Sequence, residues 1–298
     1  MTLQQLRQVL TIAESNSMNE AAKKLFVSQP NLSATVREVE EELGITVFMR
    51  NNRGITVTAE GEEFLGYAKQ VVEQYHLLEN RYLNVESKKK FSVSMQHYSF
   101  AVKAFVQLAK EVGMDEYEFA VHETKTKEVI DNVKNLKSEI GVLYLSDFNE
   151  KVLRKLFKEC DIEFKELFTC NTYVYLWKKH PLAGKKVITL DDLQEYPCLT
   201  FEQGVNNSFY YAEEMMSTYE YKRVIKADDR ATMLNLMVGL NGFTLCSGII
   251  SEDLNGDDYA AIPLKESEKM HIGYIKHKGT KLSKLGEIYI DALKNYEN

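Results

Sequence analysis

Apolar residues at Leu3, Leu6, Val9, Leu10 and Ala13 recur at steps of three and four, predicting a first helix from Leu3 to Glu14. Ser15-Asn16-Ser17 interrupts it. Ser17 followed by Glu20 has the spacing of a capping box, opening a short second helix with Met18, Ala21, Ala22 and Leu25 facing inward. Phe26-Val27-Ser28 reads as a turn, and Ser28 can cap a third helix. Pro30 is tolerated there because first-turn amides need no intrahelical acceptor. Leu32, Val36, Val39 and Leu43 form its apolar stripe, with Pro30, Ser33, Ala34, Arg37 and Glu41 opposite and Gly44 as the closing residue. Two short helices around a tight turn form a helix-turn-helix, whose second helix enters the major groove. Periodicity alone equally allows an ordinary helical bundle.

The residues that follow favour the first reading. Thr46–Arg50 and Ile55–Val57 are β-prone segments joined through Asn51-Asn52-Arg53-Gly54, which predicts a hairpin wing with Arg50 and Arg53 near its tip. A wing can touch phosphate or the minor groove; a solvated surface turn is the alternative for Arg53. Thr58 then caps a long helix in which Phe64, Ala68, Val71, Tyr75, Leu78, Tyr82 and Val85 alternate at steps of four and three. That is a coiled-coil seam, for which the simplest partner is a second copy. Ser87 and Lys88-Lys89-Lys90 mark a boundary.

Beyond it, a strand at Phe91–Met95, a helix at Ser99–Val112, a strand at Tyr117–His122, a helix at Thr126–Lys134 and a strand at Ile140–Leu145 alternate. They predict an α/β unit with a mainly parallel sheet. A second unit, Phe168–Leu264, is marked by a strand at Tyr173–Trp177, helices around Tyr210–Met216 and Thr232–Leu240, and a strand at Phe243–Leu245. Two such units leave a cleft between them. Gln96, His97, Tyr98, Ser99 and Phe100 are placed to line one wall. Thr124, Thr126, Thr200, Phe201, Gln203, Cys246 and Ser247 are candidates for the others. Helix starts and the neutral donors Ser99, Thr126 and Ser208 favour a small anion. A neutral or aromatic metabolite is the alternative, and each hydroxyl taken alone could equally be a helix cap.

Composition bounds these readings. The 298 residues are 44% apolar and 27% charged, as in ordinary globular proteins. No apolar run reaches a membrane span, and the first residues lack the pattern of a secretory signal, so a cytoplasmic location is expected. Cys160, Cys170, Cys198 and Cys246 form no CxxC pair, and the histidines have no zinc spacing; no metal site or cofactor is expected. Net charge is −7. Residues 1–87 carry eight Lys/Arg against twelve Asp/Glu, formally −4, so DNA contact must depend on a local basic patch and symmetry. Nucleotide-binding, metalloprotease and nucleophile-elbow signatures are absent, so an enzyme is not expected.

The N-terminal residues Ala21-Ala22, Leu25, Ser28-Gln29-Pro30, Leu32-Ser33, Glu40, Leu43-Gly44, Val47-Phe48, Arg50 and Thr58-Ala59-Glu60-Gly61 form a collinear set that resembles the LysR-type transcriptional regulators. Asn16, Val39 and Val47 depart from the family's usual Gly, Leu and Leu. The resemblance continues through His180-Pro181-Leu182-Ala183, Asp192-Leu193 before Pro197, Met237–Gly242, and the closing stretch from Ile272 to Leu293. This chain has Leu245-Cys246-Ser247-Gly248 where the family commonly has Leu-Pro.

The resemblance implies a winged helix-turn-helix at 1–58, a linker and dimerisation helix at 59–90, and a periplasmic-binding-protein-like α/β effector domain at 91–298. Its first subdomain is expected at about 91–163 and 265–298, its second at about 164–264. Ser28, Gln29, Pro30, Asn31, Ser33, Ala34 and Arg37 would address DNA, with Arg50 and Arg53 on the wing. Double-stranded promoter DNA, a small effector, a homodimer or homotetramer and, for an activator, RNA polymerase are the implied partners. A solute-binding or redox-sensing protein using cysteine chemistry is the alternative, although a solute-binding protein leaves the recognition helix unexplained.

Overall fold

The computed structural model describes residues 1–15, 17–51, 54–82, 88–113, 116–206 and 208–296. The chain forms two compact units, Met1–Ser87 and Lys88–Asn298. In the first, α1 (Leu3–Ala13), α2 (Met18–Lys24) and α3 (Gln29–Leu43) precede a hairpin of β1 (Phe48–Asn51) and β2 (Gly54–Val57). Phe48 pairs with Val57, as antiparallel register requires. Local chemistry sets the ends. Ser17 Oγ accepts from Glu20 N at 3.2 Å, Ser28 Oγ accepts from Asn31 N at 3.3 Å, and Gly44 ends α3 at φ +70°. Val9, Ile12, Ala21, Leu32, Val36, Val39 and Val47 form the core.

The long helix α4 (Ala59–Tyr82) starts where the Thr58 hydroxyl accepts from Gly61 N at 2.8 Å. A Cβ on Gly61 would overlap the Val47 carbonyl oxygen, so only glycine lets α4 begin this close to the wing. The expected seam divides. Ala68, with Phe64 beside it, packs on Leu6, Leu3 and Leu10 of α1, and Val72 joins them. Phe64 and Ala68 are therefore intrachain core rather than free seam positions, because α1 covers that part of the stripe. Val71 and Leu78 stay about half exposed, at 51% and 55%, and Tyr75 lies under the Arg7 guanidinium at 5.3 Å. Val85, Ser87 and the side chain of Tyr82 lie outside the described set.

The second unit runs β3 (Lys89–Met95), α5 (Ser99–Val112), β4 (Tyr117–Glu123), α6 (Thr126–Lys134), β5 (Ile140–Leu145), α7 (Glu150–Glu159) and β6 (Ile162–Asn171). It continues with β7 (Tyr173–Trp177), α8 (Leu190–Leu193), β8 (Cys198–Phe201), β9 (Val224–Ala227), α9 (Arg230–Leu240), β10 (Thr244–Cys246), α10 (Glu252–Asn255) and β11 (Tyr259–Pro263), then β12 (Lys269–His277) and α11 (Lys284–Lys294). The first lobe holds a five-stranded sheet in the order β4-β3-β5-β12-β6. Its first three strands are parallel, while β12 pairs antiparallel with β5 and β6. Phe91, Val93, Phe100, Leu108, Ile140, Val142, Ile272 and Tyr289 fill one face and Val129, Ile130, Leu143, Leu153 and Phe157 the other.

The second lobe is less parallel than the pattern suggested: β10-β7-β11 is antiparallel, and β8-β9 is a parallel pair joined to it by a bridge between Cys198 and Phe243. The crossover into this lobe falls at Thr172, not near residue 164, because β6 stays in the first sheet until Asn171. Both crossings are fastened side by side. Thr172 N donates to Ser267 Oγ at 2.7 Å and the Thr172 hydroxyl to the Glu268 carbonyl at 2.9 Å. His180 accepts from Leu182 N at Nδ1, which leaves Nε2–H to donate to the Asn241 carbonyl at 2.9 Å. It thus locks the His-Pro-Leu-Ala turn to the left-handed end of α9. The expected helix at Tyr210–Met216 is a single 3-10 turn, Phe209–Tyr211, because the two glutamates after it are drawn into long-range hydrogen bonds.

Candidate DNA-recognition surface and interlobe cavity

Cap geometry aims the start of α3 outward. Pro30, Asn31, Ala34 and Arg37 are exposed, and Gln29 and Ser33 are partly so, with Gln29 Nε2 donating to Ser33 Oγ at 3.2 Å. Ser28 is spent as the cap. These small and polar side chains leave the first turns unobstructed, and Arg37 makes no ion pair among the described residues. Glu40 lies on the same helix but turns toward the wing. Its Oε1 accepts from Val47 N at 2.7 Å and Phe48 N at 3.0 Å. The Glu40 carboxylate is thereby withdrawn from the exposed face that carries Arg37 and docks the hairpin. Arg53 and the side chain of Arg50 lie outside the described set. Phe26 was not among the sequence candidates, yet it stands 96% exposed at φ +54° between α2 and α3. Only the turn itself could have drawn attention to it.

In the second unit, a cavity of about 90 Å³ opens between the lobes. His97, Tyr98, Ser99, Phe100, Phe201, Cys246 and Ser247 line it, as the sequence suggested. Gln96, Thr124, Thr126, Thr200 and Gln203 do not. Three of these five are consumed by one another: Gln96 Nε2 donates to Thr126 Oγ1 at 2.6 Å, and Thr126 N donates to Gln203 Oε1 at 3.1 Å. The Thr126 hydroxyl in turn donates to the Tyr211 carbonyl at 2.7 Å. Thr124 donates to Glu128, and Thr200 belongs to β8 beside Lys226 of β9. Neither Ser99 nor Thr126 caps its helix: Tyr98 and Lys125 hold those positions without side-chain cap bonds.

The group that completes this network is Glu213, which the sequence reading did not single out. Its Oε2 accepts from His97 N at 2.9 Å and from His97 Nδ1 at 2.8 Å, while Oε1 accepts from Gln203 Nε2 at 2.9 Å. The clasp joins the lobes and is buried, with only 6% and 4% of the His97 and Glu213 side chains exposed. The His97 ring stacks on Phe201 at 3.6 Å. Of the donors on which the anion expectation relied, the Thr126 hydroxyl is taken by the Tyr211 carbonyl, while Glu213 takes the neighbouring N–H groups of His97 and Gln203. Glu214 also lines the cavity and accepts from Phe201 N at 2.8 Å. Burial, and secondarily the Glu213 charge, push its carboxyl up to about 8. The cavity's Arg230 is committed to Glu123, at 3.1 Å from Nε and 2.8 Å from Nη2. Adjacent glutamates among aromatic and methionine residues were the available signal, hidden by the expectation of a helix there.

Cys170 and Cys246 are pushed up to about 12, by burial in both cases. They are held as thiols rather than the thiolates that react with oxidants, which disfavours the redox reading. Among the described residues no group of His, Cys, Asp and Glu has a metal-holding arrangement, and no helix is long and apolar enough to cross a membrane.

Comparison with known proteins agrees with both halves. Residues 3–62 match the family described as bacterial regulatory helix-turn-helix protein, lysR family, and residues 114–297 match the LysR substrate binding domain. The HTH-type transcriptional regulator CysL of Bacillus subtilis is 25% identical over 305 residues, covering 98% of this chain and 97% of CysL. The uncharacterized HTH-type regulator YkuM of the same organism is 41% identical over 81 residues, 27% of this chain and 28% of YkuM. Full-length OxyR from Pseudomonas aeruginosa superposes with a TM-score of 0.71 at 19% identity, covering 99% of this chain and 95% of that one. CbnR solved with its target DNA superposes at 0.60 and 17% identity, with 99% of each chain covered. At these identities the two structures speak for the fold alone.

Proposed function

This chain belongs to the lysR family of bacterial helix-turn-helix transcriptional regulators, and from that premise we propose that it binds promoter DNA under the control of a small molecule held between the lobes of residues 88–298. DNA recognition is assigned to Gln29, Pro30, Asn31, Ser33, Ala34 and Arg37 of α3, with Arg50 and Arg53 on the wing. Residues 1–58 are taken as the DNA-binding part, 59–90 as the linker and 91–298 as the effector-binding part. The observation that supports control by a ligand is the interlobe clasp of His97, Glu213, Gln203 and Thr126 beside the cavity. A ligand that favours one separation of the lobes over another shifts the equilibrium by its differential affinity, and DNA must then shift ligand affinity by the same factor.

The exposed face of α4, with Val71 and Leu78, supports a second copy as partner. A two-fold dimer presents two copies of α3 to a palindromic site, and pairing through the effector domains would give a tetramer. Promoter DNA as target puts the protein in the cytoplasm, with RNA polymerase as a partner if it activates. Gel shift and footprinting with DNA immediately upstream of the chain's own gene test the proposal. Protection of a palindromic site by the wild type, lost in Arg37→Ala, is expected. Equal affinity for upstream and random DNA would refute it.

A further inference from the structure

The interlobe cavity has an unusual wall. Its apolar surface comes from Tyr98, Phe100, Phe201, Met233, Met237 and Met270. Among its charged residues, Arg230 is bound to Glu123 and Glu213 to His97 and Gln203. Glu214 alone has no cationic partner among the described residues, and its side chain is met only by backbone amides, the Phe201 N–H at 2.8 Å among them. A second, independent group also lacks a partner: the Thr244 hydroxyl, on β10, is buried, lines the same cavity and makes no hydrogen bond. Ser99, at the first turn of α5, lines the opposite lobe.

We propose that this cavity takes a small organic cation, an ammonium group on a compact apolar body, with Glu214 as counter-ion and the Thr244 oxygen as a further acceptor. The proposal rests on the reading of the cavity as the effector site and assigns that site a ligand class. An ammonium donates three N–H bonds and needs acceptors only, which is what a carboxylate and an unpartnered hydroxyl offer. The aromatic residues Tyr98, Phe100 and Phe201 in the lining suit a cation better than an anion. Once Glu214 has lost its proton, an anion would instead meet a carboxylate with no cationic partner among the described residues, and the cavity's Arg230 is already bound to Glu123. The cavity is smaller than the ~150 Å³ space that accepts benzene, so a body of about four or five heavy atoms fits.

Binding should also follow pH. Glu214 is faced by Glu213 next to it, by Tyr144 of β5, Cys198 of β8, Tyr98 and Tyr221, and across the cavity by His97 and Arg230. The tyrosines and Cys198 are held above their ordinary ranges by burial, so they stay neutral while Glu214 ionises near 8. A primary ammonium, like that of lysine, stays charged through that range.

The experiment is calorimetric titration of the whole chain with n-butylammonium chloride, 1-butanol and sodium propanoate, whose organic groups have equal numbers of heavy atoms. The amine is expected to bind at least tenfold more tightly than the alcohol or the acid. Its affinity should rise about tenfold between pH ~7 and pH ~9, and Glu214→Gln should remove both the preference and the rise. An amine bound no better than butanol, a preference unchanged in Glu214→Gln, or no binding of any probe overturns the proposal. Met237→Trp, which fills the cavity, separates the two levels. Probes that still bind that variant refute the cavity as the site. Propanoate that binds best, and is lost in that variant, refutes only the cationic class.

Discussion

Replacing Glu40 tests whether the recognition helix and the wing are held as one piece by a single carboxylate. Glu40 Oε1 receives two backbone amides, Val47 N at 2.7 Å and Phe48 N at 3.0 Å, and both residues are buried, at 0% and 8% exposure. A hydrogen bond to a charged group contributes about 1.5–3 kcal/mol, and a buried donor left without a partner loses a similar amount. Glu40→Ala strands both amides, so about 3 kcal/mol is a floor for the local loss. Glu40→Gln keeps an acceptor oxygen without its charge and should lose about 1 kcal/mol. In a unit of this size 1 kcal/mol moves a melting point by about 4–8 °C, so the alanine variant is close to local unfolding of the hairpin.

The only tryptophan, Trp177, sits in the other unit, so fluorescence is blind to this change. Hydrogen exchange of peptides spanning residues 44–58 reports it directly, with exchange about a hundredfold faster expected in Glu40→Ala. DNA affinity supplies a sign test. If Glu40 faced phosphate, removing its charge would tighten DNA binding; if it docks the wing, binding weakens. Unchanged protection of 44–58 together with tighter binding would refute the docking role.

Arg37→Ala should weaken binding to the specific site by about 1–3 kcal/mol while changing affinity for random DNA less, as quantitative footprinting would show; equal losses on both would make Arg37 a phosphate contact. Val71→Glu with Leu78→Glu, at positions 51% and 55% exposed in the single chain, should halve the mass seen by sedimentation without altering helix content; an unchanged mass would place the interface elsewhere. Glu214 carries a proton in the folded state between about 4.3, its unfolded value, and about 8. Stability therefore falls as pH rises through that window and levels off above it. Glu214→Gln should flatten this slope and gain on the wild type at pH ~8.5 relative to pH ~5, read by urea unfolding through Trp177; a pH-independent difference would refute it.

What the sequence showed and what it hid divide along a physical line. Ser17, Ser28, Gly44 and Thr58 act within a few residues of themselves, and each was legible because capping is local chemistry. The strands at Ile140–Leu145 and Tyr173–Trp177 were legible because short β-branched and aromatic runs between breakers have few other uses. The seam of α4 was half legible. Periodicity finds a stripe but not what covers it, and only the fold shows α1 lying over Ala68 while Val71 and Leu78 stay open. The clasp was not legible. Glu213 meets His97 across 116 residues, and Gln203 meets Thr126 across 77. No local pattern distinguishes a glutamate bound for such a contact from one bound for solvent. Gln96, Thr126 and Gln203 were expected to line the interlobe cleft, whereas the fold has them bonded to one another between the lobes beside the cavity.

The position of β12 imposes an order on synthesis. This strand, made from residues 269–277, lies inside the first sheet, between β5 and β6. Until it arrives, β5 and β6 each offer an unpaired edge, the state most prone to pairing with another chain. Between Leu145 and His277 the ribosome adds the whole second lobe, which at about 5–20 residues per second takes roughly 7–26 s. During that interval the recognition helix can already be folded and competent, while the part proposed to govern it has an open sheet. A message truncated within the second lobe would then yield a DNA-binding unit attached to an aggregation-prone half-domain, so the arrival of residues 269–277 is what seals the first lobe against other chains.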